Sequence, residues 1–467
     1  MDLKKSIYQD ESFRDSIATI NEDGNRNWIY PKKPKGDYTK KRNIVAYTLL
    51  TLLFVGPFLK INGNPLLMFN VLERKFIIFG QIFWPQDFFI FGLSLITTAV
   101  FIILFTVTFG RVWCGWACPQ TIFMENVFRK IEYWIEGDFK EQIRLDKQDW
   151  NKEKILKKGS KWAIFYAISF LIANTFLAYI IGIDALKEIV TDHPKNHIAG
   201  LSSILIFTTV FYFVFAWFRE QVCLIACPYG RLQGVMLDNK SLVVAYDYVR
   251  GEPRERLKKE RGDDKGDCIA CGQCVNVCPT GIDIRNGTQL ECVNCTACMD
   301  ACDHIMESIN KPKGLIRIDS EEGIKEKKPF EINTRIKAYS GVLSVLLIVL
   351  VGLLVTRSAV DGTILRTPGV MYQKTDAGNI SNLYNYKLIN KTTNDIALEI
   401  KLLSHEGTID IMGNQNIVLP AEGLFTGSMF VEIDPQLLNA AKNKIELGLF
   451  DGDKKVKTIK TTFMKPL

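Results

Sequence analysis

The sequence predicts a multi-domain membrane protein: five transmembrane α-helices, a small cysteine-rich module before the fifth, and a C-terminal all-β sandwich. Three observations predict it. Five apolar runs, at about 44–62, 87–109, 161–183, 199–218 and 336–356, are long enough to cross a bilayer. Eight of the twelve cysteines fall between Cys268 and Cys302, in one spacing used twice. From residue 357 onward, short alternating runs parted by Asn, Asp and Gly clusters replace the long apolar ones. The 467 residues thus divide into a basic segment 1–43, a four-helix membrane domain 44–235, a linker and cysteine module 236–335, a fifth helix 336–356 and the sandwich 357–467.

The first segment is polar and ends in Pro31-Lys32-Lys33-Pro34-Lys35 and Lys40-Lys41-Arg42, too long and too charged for a signal peptide. The first apolar run carries Gly56-Pro57, which membrane helices tolerate. Lys and Arg number ten in 1–43, three in 60–86, ten in 111–160, two in 184–198 and eighteen in 219–335. That alternation places the N-terminus, the 111–160 loop and the cysteine module in the cytoplasm of a multi-pass inner-membrane protein. The odd number of spans puts the C-terminal domain in the periplasm. The net charge of +7 is then a topology signal. It suits a lipid bilayer as partner and argues against nucleic acid. The aromatic stretch Phe76 to Pro85 reads as an interfacial or re-entrant piece. Residues 121–136 set Phe123, Val127, Ile131 and Trp134/Ile135 on one face, with Glu125, Arg129 and Glu132 elsewhere, as in a helix lying on the membrane surface. The run from Arg250 to Gly266 is charged, broken by Gly and Pro, and reads as a linker.

The module reads Cys268-x-x-Cys271-x-x-Cys274-x-x-x-Cys278-Pro279 and, with thirteen residues between Cys278 and Cys292, Cys292-x-x-Cys295-x-x-Cys298-x-x-x-Cys302. This is the bacterial ferredoxin spacing, in which three close thiolates hold one cubane and the fourth reaches the other. The expected sets for two [4Fe-4S] clusters are Cys268, Cys271, Cys274 and Cys302, and Cys292, Cys295, Cys298 and Cys278. Asp303 stands where a second Pro is usual. Paired zinc sites are the competing reading, though zinc rarely uses a third cysteine at the same spacing. Cluster ligation requires reduced thiols, which excludes a disulfide framework.

Two spans end alike, in Trp113-Cys114-Gly115-Trp116-Ala117-Cys118-Pro119 and Val222-Cys223-Leu224-Ile225-Ala226-Cys227-Pro228. The 109-residue repeat suggests two equivalent halves. A residue before Pro resists the helical region, so each helix is expected to break at Cys118 or Cys227, with Pro119 and Pro228 opening the next. The four thiols have three readings: a soft-metal site for Cu(I), a dithiol relay, or small buried hydrophobes. Met124 and Met236 could assist a soft metal. His304 reads as a solvated surface residue, and His193 and His197 as polar cover of a loop.

The strands expected in the C-terminal region are Leu383–Ile389, Ile396–Leu403, Gln415–Leu419, Gly427–Ile433, Ile445–Phe450 and Val456–Phe463. Their number suggests an immunoglobulin-like sandwich without the antibody cysteines. It carries no catalytic constellation and reads as an interaction surface.

At these residues the sequence resembles, over essentially its whole length, the cytochrome c oxidase accessory protein family known as CcoG, FixG or RdxA. The resemblance rests on Gly110 to Gln120 (GRVWCGWACPQ), Ala226 to Gln233 (ACPYGRLQ), Ala245 to Arg254 (AYDYVRGEPR) and the double ferredoxin motif. Ile29-Tyr30-Pro31, Arg74-Lys75-Phe76 with Phe79-Gly80, and Pro85-Gln86-Asp87 add to it. The residues between Cys223 and Cys227 depart from those between Cys114 and Cys118. The resemblance implies a membrane-bound cupric reductase. It would reduce Cu(II) to Cu(I) at the membrane cysteines for assembly of the copper centre of cbb-type cytochrome c oxidase. It also implies the oxidase or its copper-delivery factors as partners, with a cytoplasmic electron donor the sequence does not name. Two other readings stand beside it: a quinol-linked membrane ferredoxin serving another redox protein, and a non-catalytic assembly scaffold.

Overall fold

The computed structural model describes all residues except 1–17, 21–22, 62, 72–74, 85–86, 257–264, 370–371, 376–377, 393, 414–416 and 467. The first part of the basic segment, Arg74, Pro85, Gln86, the middle of the charged linker and the start of the 415–419 strand therefore lie outside the described residues. The chain forms two compact units, one of residues 1–56 and 93–347 and one of 57–92 and 348–467.

Among the described residues, four helices are long and apolar enough to cross a membrane: Phe88–Phe109, Lys152–Ile181, Ile198–Phe218 and Thr334–Val355. The first predicted run is cut short. Its helix, Asp37–Val55, begins with charged residues, and a 3₁₀ turn at Gly56–Phe58 leads into a strand at Lys60–Ile61. Pro57, expected inside a span, sits in that 3₁₀ turn; lacking an N–H, it cannot continue the α-helical ladder.

The first unit is organised around aromatic packing. Phe128 stacks on Phe215 with ring centroids 4.6 Å apart and meets Phe165 edge-on at 4.8 Å. These contacts join the 119–135 segment to helix Lys152–Ile181 and to the π-helical turn Val214–Phe218. The surface helix expected at 121–136 is corrected. The segment is a π turn, Ile122–Phe128, running into helix Arg129–Ile135, and its expected polar face is the buried one. Arg129 and Glu132 are 1% and 3% exposed, whereas Trp134 is 78% exposed. Charge can be buried here because every ion has a counter-ion, as the site below shows.

In the second unit, the stretch expected to be interfacial or re-entrant is an antiparallel meander of Leu67–Asn70, Lys75–Ile78 and Gln81–Phe83. Met68, Ile77 and Ile82 bury its inner face. Phe79 and Gly80, at φ 50° and 72°, make the tight turn between the last two strands. All six expected C-terminal strands form, joined by Val360–Arg366, Gln373–Lys374 and Gly407–Ile411. One sheet runs Gly407–Ile411, Leu424–Ile433, Ile380–Asn390, Val360–Arg366, with Gln373–Lys374 also on Ile380–Asn390. The other runs Ile417–Leu419, Ile396–Leu402, Lys442–Asp451, Lys454–Met464. In place of an inter-sheet disulfide, Asn382 donates to the Met464 carbonyl at 2.8 Å, and the buried Tyr384 hydroxyl donates to the Thr462 carbonyl at 2.8 Å.

Asp87 closes this unit. It takes Arg357 at 2.6 Å and Lys391 at 2.6 Å, with all three side chains no more than 10% exposed. Removing Asp87 leaves the buried Arg357 without its counter-ion and Lys391 with only Asp361 at 3.2 Å, and breaking a buried pair in this way costs roughly 3–5 kcal/mol. Asp87→Ala should therefore lower the thermal midpoint and speed proteolysis of the C-terminal domain. Lys401→Ala, which breaks an exposed pair with Glu399, should change either by no more than the roughly 1 kcal/mol of a surface ion pair.

Candidate iron–sulfur and membrane-edge thiol site

The doubled motif folds as a doubled backbone. Ala270 and Asn294, each two residues after the first cysteine of its half, have φ near 50°. Gly272 and Thr296, two residues further on, have φ 69° and 64° and cap helices Gln273–Asn276 and Ala297–Ser308. Only Gly272 could be foreseen to turn left-handed. Ala, Asn and Thr adopt that region at a cost, as expected where a loop must wrap a group closely. Strands Val243–Tyr246 and Ile316–Asp319 pair beneath the two halves.

The cysteines converge on two cavities. Cys268, Cys271, Cys274 and Cys302 line one of about 20 Å³. Cys278, Cys292, Cys295 and Cys298 line another of about 20 Å³, which Cys274 also lines. None of the twelve cysteines is in a disulfide. Among the described residues no three Cys, His, Asp or Glu side chains close on a single ion. Zinc would need thiolates about 3.8 Å apart, from its ~2.3 Å bonds to sulfur. The cysteines that line each cavity are the set expected for one four-iron cube, each thiol to one iron.

The two membrane-edge motifs break as expected. Cys118 and Cys227 are extended, at ψ 126° and 112°, and Pro119 and Pro228 open the helices that follow. Helix Val112–Trp116 lies against the second cluster loop so closely that a Cβ on Gly115 would stand 2.4 Å from the Val293 carbonyl oxygen and 2.9 Å from the Cys295 Cα. Cys114, next to it, packs against the apolar cluster of Val277, Val293, Cys295 and Ala297. Arg111, 4% exposed, ties three segments: it donates to the Cys292 carbonyl at 3.4 Å, to the Gly230 carbonyl at 2.7 Å and to the Gln233 side-chain oxygen. Gln233 in turn donates to the Cys114 sulfur at 3.4 Å. The Gly115 carbonyl accepts from Arg42 at 2.9 Å.

Burial pushes the Cys114 and Cys118 thiols up, and Cys223 up to about 12. At Cys114, the Gln233 hydrogen bond and the Arg111 charge oppose that rise. At Cys118, the backbone N–H groups of Gln120 and Thr121 oppose it. Cys223 feels the charges of the other three thiols, so the four form one electrostatic group. Met124, 3% exposed, lines a small cavity with Cys223. Met236 ends helix Pro228–Met236, away from that cavity. His304 is exposed, as expected, and His197 pairs with Asp192 at 3.0 Å.

Behind the thiols lies an ion cluster that the sequence reading placed on a solvated face. Arg219 grips both oxygens of Glu132 at 2.8 Å. Arg129 meets Glu125 at 3.1 Å. Lys161 and Lys158 hold Glu136 at 2.9 and 3.0 Å. Partners as far apart in sequence as Glu132 and Arg219 left no local signal. The N-terminal segment, read only as a charge signal, also packs on the cysteine module. Lys32 donates to Gln273 at 3.0 Å, and Asp300 accepts the Tyr38 and Thr39 N–H groups at 3.0 and 2.7 Å at the start of helix Asp37–Val55.

Family models match three stretches of the chain. A 4Fe-4S dicluster domain covers residues 218–321, a 4Fe-4S binding domain covers 91–140, and the Ig-like fold at the C-terminus of FixG covers 350–466. Protein RdxA of Cereibacter sphaeroides is 33% identical over 86% of this chain and 88% of its own length. Protein RdxB of the same organism is 32% identical over 87% and 89%. Nitrogen fixation protein FixG of Rhizobium meliloti is 36% identical over 62% of this chain and 57% of its own.

Gly115→Ala must displace the 293–295 backbone, and should lower bound iron and the visible absorbance of the purified protein. Gly159→Ala, with open space around its Cβ, should leave both unchanged. Glu132 gives a pH test. Burial opposes its charge, but Arg219 and Lys161 more than offset that and hold it down at about 2. Its folded pKa lies below the unfolded value, so its contribution is present above about pH 4.5 and is lost as pH falls toward 2. Glu132→Gln should lower the thermal midpoint at pH 7 and narrow the gap to the native protein as pH falls through that window.

Proposed function

The chain belongs to the FixG/RdxA family of iron–sulfur electron-transfer proteins, and on that premise we propose that it reduces Cu(II) to Cu(I) at Cys114, Cys118, Cys223 and Cys227. The observation that carries this reading is the packing of Cys114 against the apolar cluster that contains Cys295, beside Gly115, whose added Cβ would stand 2.9 Å from the Cys295 Cα. The helix that carries a membrane-edge thiol thus lies on the backbone that carries a ligand of the second proposed cluster. Bound by the two cysteine sets given above, the clusters supply electrons one at a time.

The residues around the thiols fit the substrate. Thiolates prefer the reduced, softer ion, so binding pulls the one-electron reduction of copper forward. Arg111 and Gln233 favour the thiolate at Cys114. Each raised thiol gives up its proton when copper takes its place. Met124 beside Cys223 offers a thioether to the same ion.

The topology proposed with this function has five spans, with helix Asp37–Val55 the first. The alternation of Lys and Arg between the apolar runs supports it. An odd number of crossings would put the N-terminus and the cysteine module in the cytoplasm and the C-terminal domain in the periplasm. The Ig-like domain would then meet a periplasmic partner, a cbb-type oxidase subunit or its copper-delivery factor.

The test is an anaerobic assay of purified protein with a chemical reductant, Cu(II) and a Cu(I)-specific chelator, together with metal analysis. About eight irons per chain are expected from two four-iron clusters. Replacing Cys114, Cys118, Cys223 and Cys227 together with Ser should abolish copper reduction and keep the iron. Unchanged copper reduction in that variant would remove the thiols from the mechanism. Twelve irons in the native protein would mean that these thiols hold a third cluster.

A further inference from the structure

We propose that the cavity between the N-terminal segment, the 132–154 region and the ends of helices Lys152–Ile181 and Ile198–Phe213 binds a lipid-soluble quinol, the source of the electrons used above. The inference rests on the electron-transfer reading and adds the donor. The cavity holds about 640 Å³, within the range of small-molecule sites.

Its two ends differ in chemistry. The floor is charged and buried: Glu132, Glu136, Lys158, Lys161 and Arg219 are each no more than 9% exposed. The rim is aromatic. Trp28, Trp150, Trp162 and Trp217 are 37 to 65% exposed, and Phe165, Tyr212 and Phe213 carry the wall along the apolar helices. Such a site takes an amphiphile with its polar head inward and its tail along the helix ends, where indole rings settle at a membrane interface.

The state of the floor selects the head. Glu132 is held by Arg219, Glu136 by Lys158 and Lys161, and Asp146 by Lys158 at 2.5 Å and the Tyr30 hydroxyl. The fourth cation, Lys154, donates to the carbonyls of Asp146 and Gln148 at 3.0 and 2.7 Å. Every cation is engaged, so a phosphate headgroup would have to break an ion pair or draw Lys154 off its two carbonyls. A neutral planar ring with two hydroxyl groups can instead hydrogen-bond to the floor and stack on the rim.

The walls lead to the redox centre. Arg219, at φ 51° in a backbone conformation that residues other than glycine rarely adopt, lines both this cavity and the small one at Cys223. Thr280 and Val293 line that small cavity and also the one formed by Cys278, Cys292, Cys295 and Cys298. Quinol head, membrane-edge thiols and second cluster set are thus separated by single side chains.

Oxidation of one quinol breaks its two O–H bonds and yields a quinone, two protons and two electrons. The two electrons match the reduction of two Cu(II) to two Cu(I), and cubanes held by the two cysteine sets would carry them one at a time. The two protons go to water at the open rim of the cavity, beside Asp146, whose side chain is 33% exposed.

The probe is decylubiquinone, titrated into the cluster-loaded protein in detergent and followed by quenching of tryptophan fluorescence and by ultrafiltration of free quinone. Native protein should bind it saturably. Ala216→Phe, which fills the wall, and Trp162→Ala, which opens the rim, should each weaken binding at least tenfold with unchanged iron content. Both variants should still reduce copper when dithionite is the donor, because neither touches the thiols. Unsaturable quenching, equal affinity in both variants, or displacement of the quinone by phosphatidylglycerol would overturn the proposal. Failure of dithionite-driven copper reduction in the native protein would instead sink the copper reading and leave the quinone titration to decide this site alone.

Discussion

The constraint on which the site depends is the absence of a side chain at Gly115. Helix Val112–Trp116 can lie on the 293–295 backbone only because nothing projects from that position. The approach brings Cys114 against the apolar cluster that contains Cys295 and presents buried backbone carbonyls that need donors. Two guanidinium groups supply them, Arg42 to Gly115 and Arg111 to Cys292 and Gly230. Their charge, the planar fork of their donors and their own burial make those bonds stronger than neutral ones. Gly230 repeats the device: a Cβ there would stand 2.4 Å from the Cys223 carbonyl oxygen. Both membrane motifs are therefore fixed by close backbone approach, and Arg111 joins them.

The same economy governs the buried charges. Ions taken out of water are tolerated only in sets that close on themselves, and this unit builds such sets where its segments meet. Arg219 and Glu132 join the end of the Ile198–Phe218 helix to helix Arg129–Ile135. Arg26 reaches Glu220 at 3.0 Å, so the N-terminal segment belongs to the same cluster. Asp300 holds the first turn of helix Asp37–Val55 against the cysteine module. A segment whose composition spoke only of topology is thereby a structural strap.

What the sequence made legible follows from local rules. Doubled cysteine spacing, the Cys-Pro breaks and the alternating strands of the C-terminal domain all concern residues within a few positions of each other, and each appears where expected. Three features were hidden for one shared reason. Arg129 and Glu132 look like a solvent face until their partners, far along the chain, are known. The Phe79-Gly80 turn lacks the usual Asn-Gly, so an aromatic hairpin resembled an interfacial run. The left-handed Ala270, Asn294 and Thr296 are imposed by the fold against their own preference. Gly115 was quoted in a motif, but only its neighbours in space explain why glycine stands there.

The protonation of the buried thiols bears unequally on the chemistries their spacing left open. Thiol–disulfide exchange needs a thiolate to attack. With Cys223 pushed up to about 12, by burial first and then by the other three sulfurs, exchange through it starts from a group mostly protonated near pH 7. A soft cation meets no such barrier, since it takes the proton's place on sulfur and offsets the repulsion among the sulfurs that adds to the effect of burial. The same burial therefore weighs against exchange at Cys223 and not against a cation that displaces its proton.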